Sequence, residues 1–226
     1  MSIKLQSFNI RGERCSGTTY IQKLIETNLN IPYIPIGWKH GFYSPVNEYP
    51  NSPNTFLTIV IFRNVFDWLK SLYLQPHHID GSLSGLWKRY HQPSFADFIK
   101  REIKQVDSMD QEMIYERHPI YLTRPRNILE LRKWKIENFL SLSNILPNVI
   151  YLRYEDLAEH PEKIISEINN KWFGVDYEFQ NWNNYKDEDK KYTPQPYFTI
   201  PDEEIYFIVK NTDWNLEKNL GYHPPF

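Results

Sequence analysis

The chain has 226 residues, enough for one core that buries most of the unfolded surface, and residues 1–226 are read as a single domain. Its 26 Lys plus Arg against 28 Asp plus Glu give a formal net charge of -2, which excludes the broad positive field of a typical nucleic-acid binder and leaves any anionic ligand to a few focused donors. The lone cysteine, Cys15, excludes an intramolecular disulfide and a multi-cysteine zinc site; with no apolar run long enough for a bilayer and no leader-like start, the expected setting is cytoplasmic and reducing, without stable membrane insertion.

Residues 3–10, IKLQSFNI, mix alternation with β-branched and aromatic positions and predict a short strand. A tight polar segment, Arg11 to Gly17, separates it from TTYIQKLIETNL, where Ile21, Leu24, Ile25 and Asn28 or Leu29 recur at helical spacing. Prolines and glycines make 31–54 a loop around a short extended piece at Tyr33 to Trp38. The run TFLTIVIF, 55–62, has the continuous apolar character of a parallel strand covered on both faces, and it leads through Arg63 and Asn64 into a helix marked by Val65, Leu69, Leu72 and Tyr73.

Residues 75–93 read as a surface excursion, and Ser94 with Asp97 as the start signal of a helix carrying Phe95, Phe98, Ile99 and Ile103. A helix is expected over 128–142, a strand over 149–157, a further helix from Pro161, and a terminal helical region from Pro201 to Gly221, broken or continuous. Strands alternating with helices predict an α/β domain, a three-layer sandwich with a mostly parallel central sheet of the P-loop NTPase-like kind, whose ligands bind at the carboxyl ends of the strands.

Both strand-to-helix junctions carry residues suited to phosphate. Gly12 to Thr19 has the glycine spacing of a phosphate-binding loop, with Thr18 where a nucleotide triphosphatase places its lysine. Glycines let backbone amides converge on phosphate oxygens, the following helix contributes its positive end, and Thr18 and Thr19 add hydroxyls. At the second junction Arg63 supplies a rigid fork of donors, and Ser71 adds a hydroxyl about 12 Å further along the helix. The plain alternative for Arg63 is an ion pair with Asp67.

The loop GERCSGTTY resembles the 5'-phosphosulfate loop of the sulfotransferase family, and FRNVFDWLKSLY resembles that family's 3'-phosphate segment, including the spacing from Arg to Ser. YLRYEDL and DWNLEKNLGY are similar to its third strand and its C-terminal ending, while 75–127 and 170–195 match only loosely. The resemblance implies a 3'-phosphoadenosine-5'-phosphosulfate donor held by Arg14, Cys15, Ser16, Gly17, Thr18 and Thr19 on its 5' side and by Arg63 with Ser71 at the 3'-phosphate. It implies direct in-line transfer of the sulfuryl group to a hydroxyl of a small or carbohydrate acceptor.

Many members carry a basic residue immediately before the Ser-Gly-Thr-Thr run, where this chain has Cys15. Arg14 is therefore expected on the donor phosphate and Lys39 on transition-state charge, with Cys15 a packed residue rather than a nucleophile. His40, in GWKHGF, is the preferred base because imidazole titrates near neutrality, with Glu13 the runner-up. No metal is required, so His77, His78 and Asp80 are read as acceptor-site or solvent residues. Arg124 and Arg126 are further candidates for an anionic group. The Arg-Lys-Gly segment that closes the nucleotide site in the cytosolic branch is missing, with Lys190 and Lys191 in the nearest region; Trp87, Trp134 and Trp182 are core candidates first. Two other classes share these features: a P-loop small-molecule kinase or nucleotidase, which would want the lysine that Thr18 replaces, and a non-catalytic nucleotide-binding protein, which would not need Lys39 or His40.

Overall fold

The computed structural model describes residues 4–44, 52–74, 94–100, 117–184 and 197–226. His77, His78, Asp80, Trp87, Ile103, Lys190 and Lys191 lie outside them. The chain divides into two compact units: Met1–His40, Pro45–Asn64 and Ser141–Pro196 form the first, and Gly41–Ser44, Val65–Leu140 and Tyr197–Phe226 the second.

The first unit is built on a parallel sheet, β1 (Ser7–Gly12), β2 (Phe56–Phe62) and β3 (Val149–Arg153), in that order. Phe8, Ile10 and Gly12 pair with Leu57, Ile59 and Ile61, and the last two pair in turn with Ile150 and Leu152, so one face of all three strands is apolar. That face is covered by Ile21, Leu24, Ile25 and Leu29 of α1 (Thr18–Leu29) and by Ile165 and Ile168 of a later helix, α6 (Pro161–Ile168). Each such aliphatic side chain contributes roughly 1.5–3 kcal/mol on burial, which makes this layer the main source of cohesion in the unit. Tyr33 extends the sheet beyond β1 by a single parallel bridge to Phe8, in the extended piece expected there. The result is a mixed α/β fold, a small parallel sheet flanked by helices in a general Rossmann-like arrangement.

The carboxyl ends of two strands differ from expectation. β1 runs to Gly12 rather than stopping at Ile10, because the Arg11 side chain is buried and bonded to main-chain carbonyls instead of turning out to water. β3 ends at Arg153 rather than Leu157, and Tyr154–Glu159 forms α5. Arg153 and Asp156 close that first turn with two hydrogen bonds of 2.7 and 2.6 Å, a local pair that a strand would pull apart. After α6 the chain makes a π-turn, Asn169–Phe173, closed by Gly174 at φ 66°, and the Asn169 amide exchanges hydrogen bonds with the backbone of Val175.

The second unit is helical: α2 (Val65–Leu74), α3 (Phe95–Lys100), α4 (Ile128–Leu140), α7 (Asp202–Asn211) and α8 (Trp214–Asn219). The expected start signal is present, with Ser94 Oγ accepting the Asp97 amide at 3.0 Å. The terminal region is broken at Thr212, and Asp213 caps α8 through the amides of Asn215 and Leu216. Tyr73, Phe95, Phe98 and Phe198 form an aromatic cluster with centroids 5.0–6.2 Å apart. At the centre of the unit Arg132 of α4 pairs with Glu217 of α8 through bonds of 2.5 and 2.9 Å, and its guanidinium lies 4.9 Å from the Trp68 ring. Among the described residues no helix is long and apolar enough to cross a membrane.

Candidate functional site

The turn after β1 is tighter than its sequence requires of an ordinary connection. Gly17 has φ 92° and Cys15 φ 63°, both left-handed, so the backbone reverses twice between strand and helix. A Cβ on Gly12 would lie 2.6 Å from the Ile61 carbonyl oxygen, 2.8 Å from Ser16 Oγ and 2.9 Å from the Thr18 methyl. One on Gly17 would run into the edge of the Tyr154 ring. Space therefore requires glycine at both positions, and at Gly17 the left-handed torsion requires it as well. Ser16 closes the turn from inside, its hydroxyl donating to the Glu13 carbonyl at 2.6 Å. The first amide of α1 with a helical partner is that of Ile21, bonded to the Gly17 carbonyl, and the N-cap residue, Gly17, has no side chain with which to cap the amides before it.

Two other segments bring basic groups to this turn, which carries Arg14 itself. The Lys39 carbonyl accepts the Gly12 amide at 3.1 Å, and the Lys39 ammonium donates to Thr19 Oγ1 at 3.2 Å, on the first turn of α1. His40 Nδ1 is 2.9 Å from the Gly12 carbonyl. A carbonyl only accepts, so Nδ1 carries the proton and the lone pair of the neutral ring sits on Nε2. Arg63 donates from Nη1 to the Cys15 carbonyl at 3.0 Å, and its guanidinium lies 4.4 Å from the centroid of the Tyr154 ring. Arg14 is packed over Trp38 at 4.6 Å. Arg14, Lys39, His40 and Arg63, singled out separately in the sequence, thus converge on one loop within one unit, with Glu13 the carboxylate inside it.

Other expected residues fall differently. Cys15 is partly exposed, and its carbonyl accepts from Arg63. Ser71 lies on α2 in the second unit. Asp67, the plain partner considered for Arg63, is 2.7 Å from Lys70. Arg126 is engaged by Glu130 at 2.8 Å, and that ion pair and its hydrogen bonds raise the arginine above its usual range. Trp134 stacks edge-on against His118, and Trp182 packs at the margin of the first unit's core. Among the described residues no cluster of His, Cys, Asp or Glu has the makings of a metal site.

Sequence reasoning passed over Arg11, Tyr154 and Glu155. Arg11, 1% exposed, donates to the carbonyls of Ile36 and Trp38 and so fixes the segment that delivers Lys39 and His40. Burial pushes the nearby Tyr33 phenol up, and the Arg11 charge partly offsets this. The available signal was an arginine on the polar face of a fully buried strand. Tyr154 and Glu155 were hidden by the expectation that the strand continued through them. No protein-family model matches the chain, and no curated protein matches it either.

Proposed function

We propose that this chain is a sulfotransferase that moves a sulfuryl group from 3'-phosphoadenosine-5'-phosphosulfate to a hydroxyl of a small or carbohydrate acceptor. The observation that carries the reading is the convergence of Lys39, His40 and Arg63 on a phosphate-type loop that lacks a lysine of its own. The glycine geometry of Gly12 and Gly17 and the uncapped start of α1 support a P-loop-like turn, while Thr18 removes the group that would reach a nucleoside triphosphate.

In this reading the amides and hydroxyls from Ser16 to Thr19, with Arg14, take the donor's 5' side and Arg63 its 3'-phosphate. The donor supplies an activated sulfuryl group and leaves as 3'-phosphoadenosine 5'-phosphate: the acceptor oxygen forms the new bond to sulfur as the bridging phosphate oxygen departs with its electron pair. Lys39, whose ammonium bonds Thr19 on the first turn of α1, neutralises charge that grows on the transferred and bridging oxygens. His40 accepts the acceptor proton on Nε2, the nitrogen left with a lone pair by the Nδ1 bond to Gly12. Aromatic richness, 16% of the chain, favours a carbohydrate acceptor.

The test is transfer of labelled sulfate from the donor to a panel of carbohydrate and small hydroxyl acceptors. The reading expects labelled product, with Arg63→Ala mainly weakening donor binding. Phosphoryl transfer from ATP would instead make the chain a kinase, and tight nucleotide binding without transfer to any acceptor would make it a binding protein.

A further inference from the structure

The ends of β2 and β3 lie in parallel register, Phe62 opposite Arg153, so the residues that follow each strand emerge side by side. Arg63 and Asn64 are met there by Tyr154 and Glu155. Glu155 Oε1 accepts both the backbone amide and the side-chain amide of Asn64, each at 2.9 Å. The Tyr154 ring has the Arg63 guanidinium 4.4 Å from its centroid, and its edge fills the space beside Gly17. The same arginine bonds the Cys15 carbonyl at 3.0 Å. One aromatic ring therefore touches both the loop proposed for the donor's 5' side and the arginine proposed for its 3'-phosphate.

We infer that Tyr154 and Glu155 are positioning residues for the donor site: they hold the Arg63–Asn64 turn against the Gly17 end of the loop, so that Arg63 presents its guanidinium to the donor in a fixed direction. This rests on the proposed function. An arginine on a flexible turn would lose side-chain and backbone freedom on meeting a phosphate; one already stacked and bonded loses less. The ring meets Arg63 with its face and Gly17 with its edge, and both contacts persist in phenylalanine. The carboxylate acts as a two-fold acceptor, a role an amide oxygen fills equally well.

The test is a binding cycle with 3'-phosphoadenosine 5'-phosphate, read by calorimetry. Tyr154→Leu should weaken binding by about 3- to 30-fold, the range of a partly desolvated cation–π contact, and Tyr154→Phe should restore it. Glu155→Ala should weaken binding while Glu155→Gln retains it, which gives an independent arm should Tyr154→Leu fold poorly. In an Arg63→Ala background neither loss should recur, because the group being positioned is gone. Equal losses with and without Arg63 would mean that Tyr154 and Glu155 merely support the fold, and would overturn the inference while leaving the donor assignment standing. Failure of the wild-type chain to bind the nucleotide at all would overturn both.

Discussion

Replacing Gly17 by alanine tests the loop geometry on which the site depends. The substitution adds one methyl group at φ 92° and directs it into the Tyr154 ring, whose Cε2 would be 3.0 Å away and whose Cδ2 nearer still. A left-handed non-glycine residue costs about 1–2 kcal/mol, and forcing a methyl into a packed aromatic adds about 1–3 kcal/mol. The sum, about 2–5 kcal/mol, corresponds to a fall in Tm of about 4–20 °C for a chain of this size. Gly37 provides the control: it too is left-handed, at φ 63°, so Gly37→Ala gauges the backbone cost of such a substitution. Thermal unfolding followed by circular dichroism should show Gly17→Ala losing at least twice as much as Gly37→Ala. Equal losses would refute the close approach of Tyr154 to the loop, and with it the packing that links Arg63 to Gly17.

The chemistry of the site gives two further expectations. Lys39→Ala should lower kcat at saturating donor by about 10²–10³, the usual cost of one donor to developing charge, with little change in donor affinity. His40→Asn keeps an N–H where Nδ1 donates to the Gly12 carbonyl but removes Nε2, so it should fold normally and lose turnover; full turnover across a pH series would show that His40 is not the base. In the second unit, Glu217→Ala leaves Arg132 buried beside Trp68 without its carboxylate and should cost about 3–5 kcal/mol in urea unfolding, whereas Arg132→Met with Glu217→Leu should recover most of it. Asp213 is held below the usual carboxylate range by its hydrogen bond to Lys133 and by the α8 amides it caps. Its contribution is therefore full above about pH 4, the ordinary Asp range, and is lost as pH falls through the lower folded value; Asp213→Asn should flatten that acid loss of stability.

Much of the first unit was legible because its physics is local. The apolar alternation of β1, the continuous run of β2 and the helical spacing of α1 each fix a face, and the glycines at 12 and 17 stand where backbone space requires them, Gly17 by torsion as well. Arg63 was identifiable by residue type and by its place at a junction, and Lys39 and His40 by residue type and by their place after the first helix. Their mutual contacts were not, because each reaches the loop through partners distant in sequence: Thr19 for Lys39, the Gly12 carbonyl for His40, the Cys15 carbonyl for Arg63. Arg11, Arg132 and Lys135 defied the rule that places charge outside. The Arg11 guanidinium is satisfied by two carbonyls and that of Arg132 by a carboxylate, while Lys135 lies 5.9 Å from the Phe42 ring, and none of this shows in hydropathy. The end of β3 was misread for a related reason. Tyr154 favours a strand by propensity, but Arg153 with Asp156 and Glu155 with Asn64 draw the chain into a helical turn.

The central claim is the identity of the nucleotide, and calorimetric titration of the purified chain with 3'-phosphoadenosine 5'-phosphate and, separately, with ATP tests it most directly. The account predicts saturable binding of 3'-phosphoadenosine 5'-phosphate that Arg63→Ala weakens, and negligible binding of ATP. Tight binding or hydrolysis of ATP, or no affinity for 3'-phosphoadenosine 5'-phosphate, would contradict it.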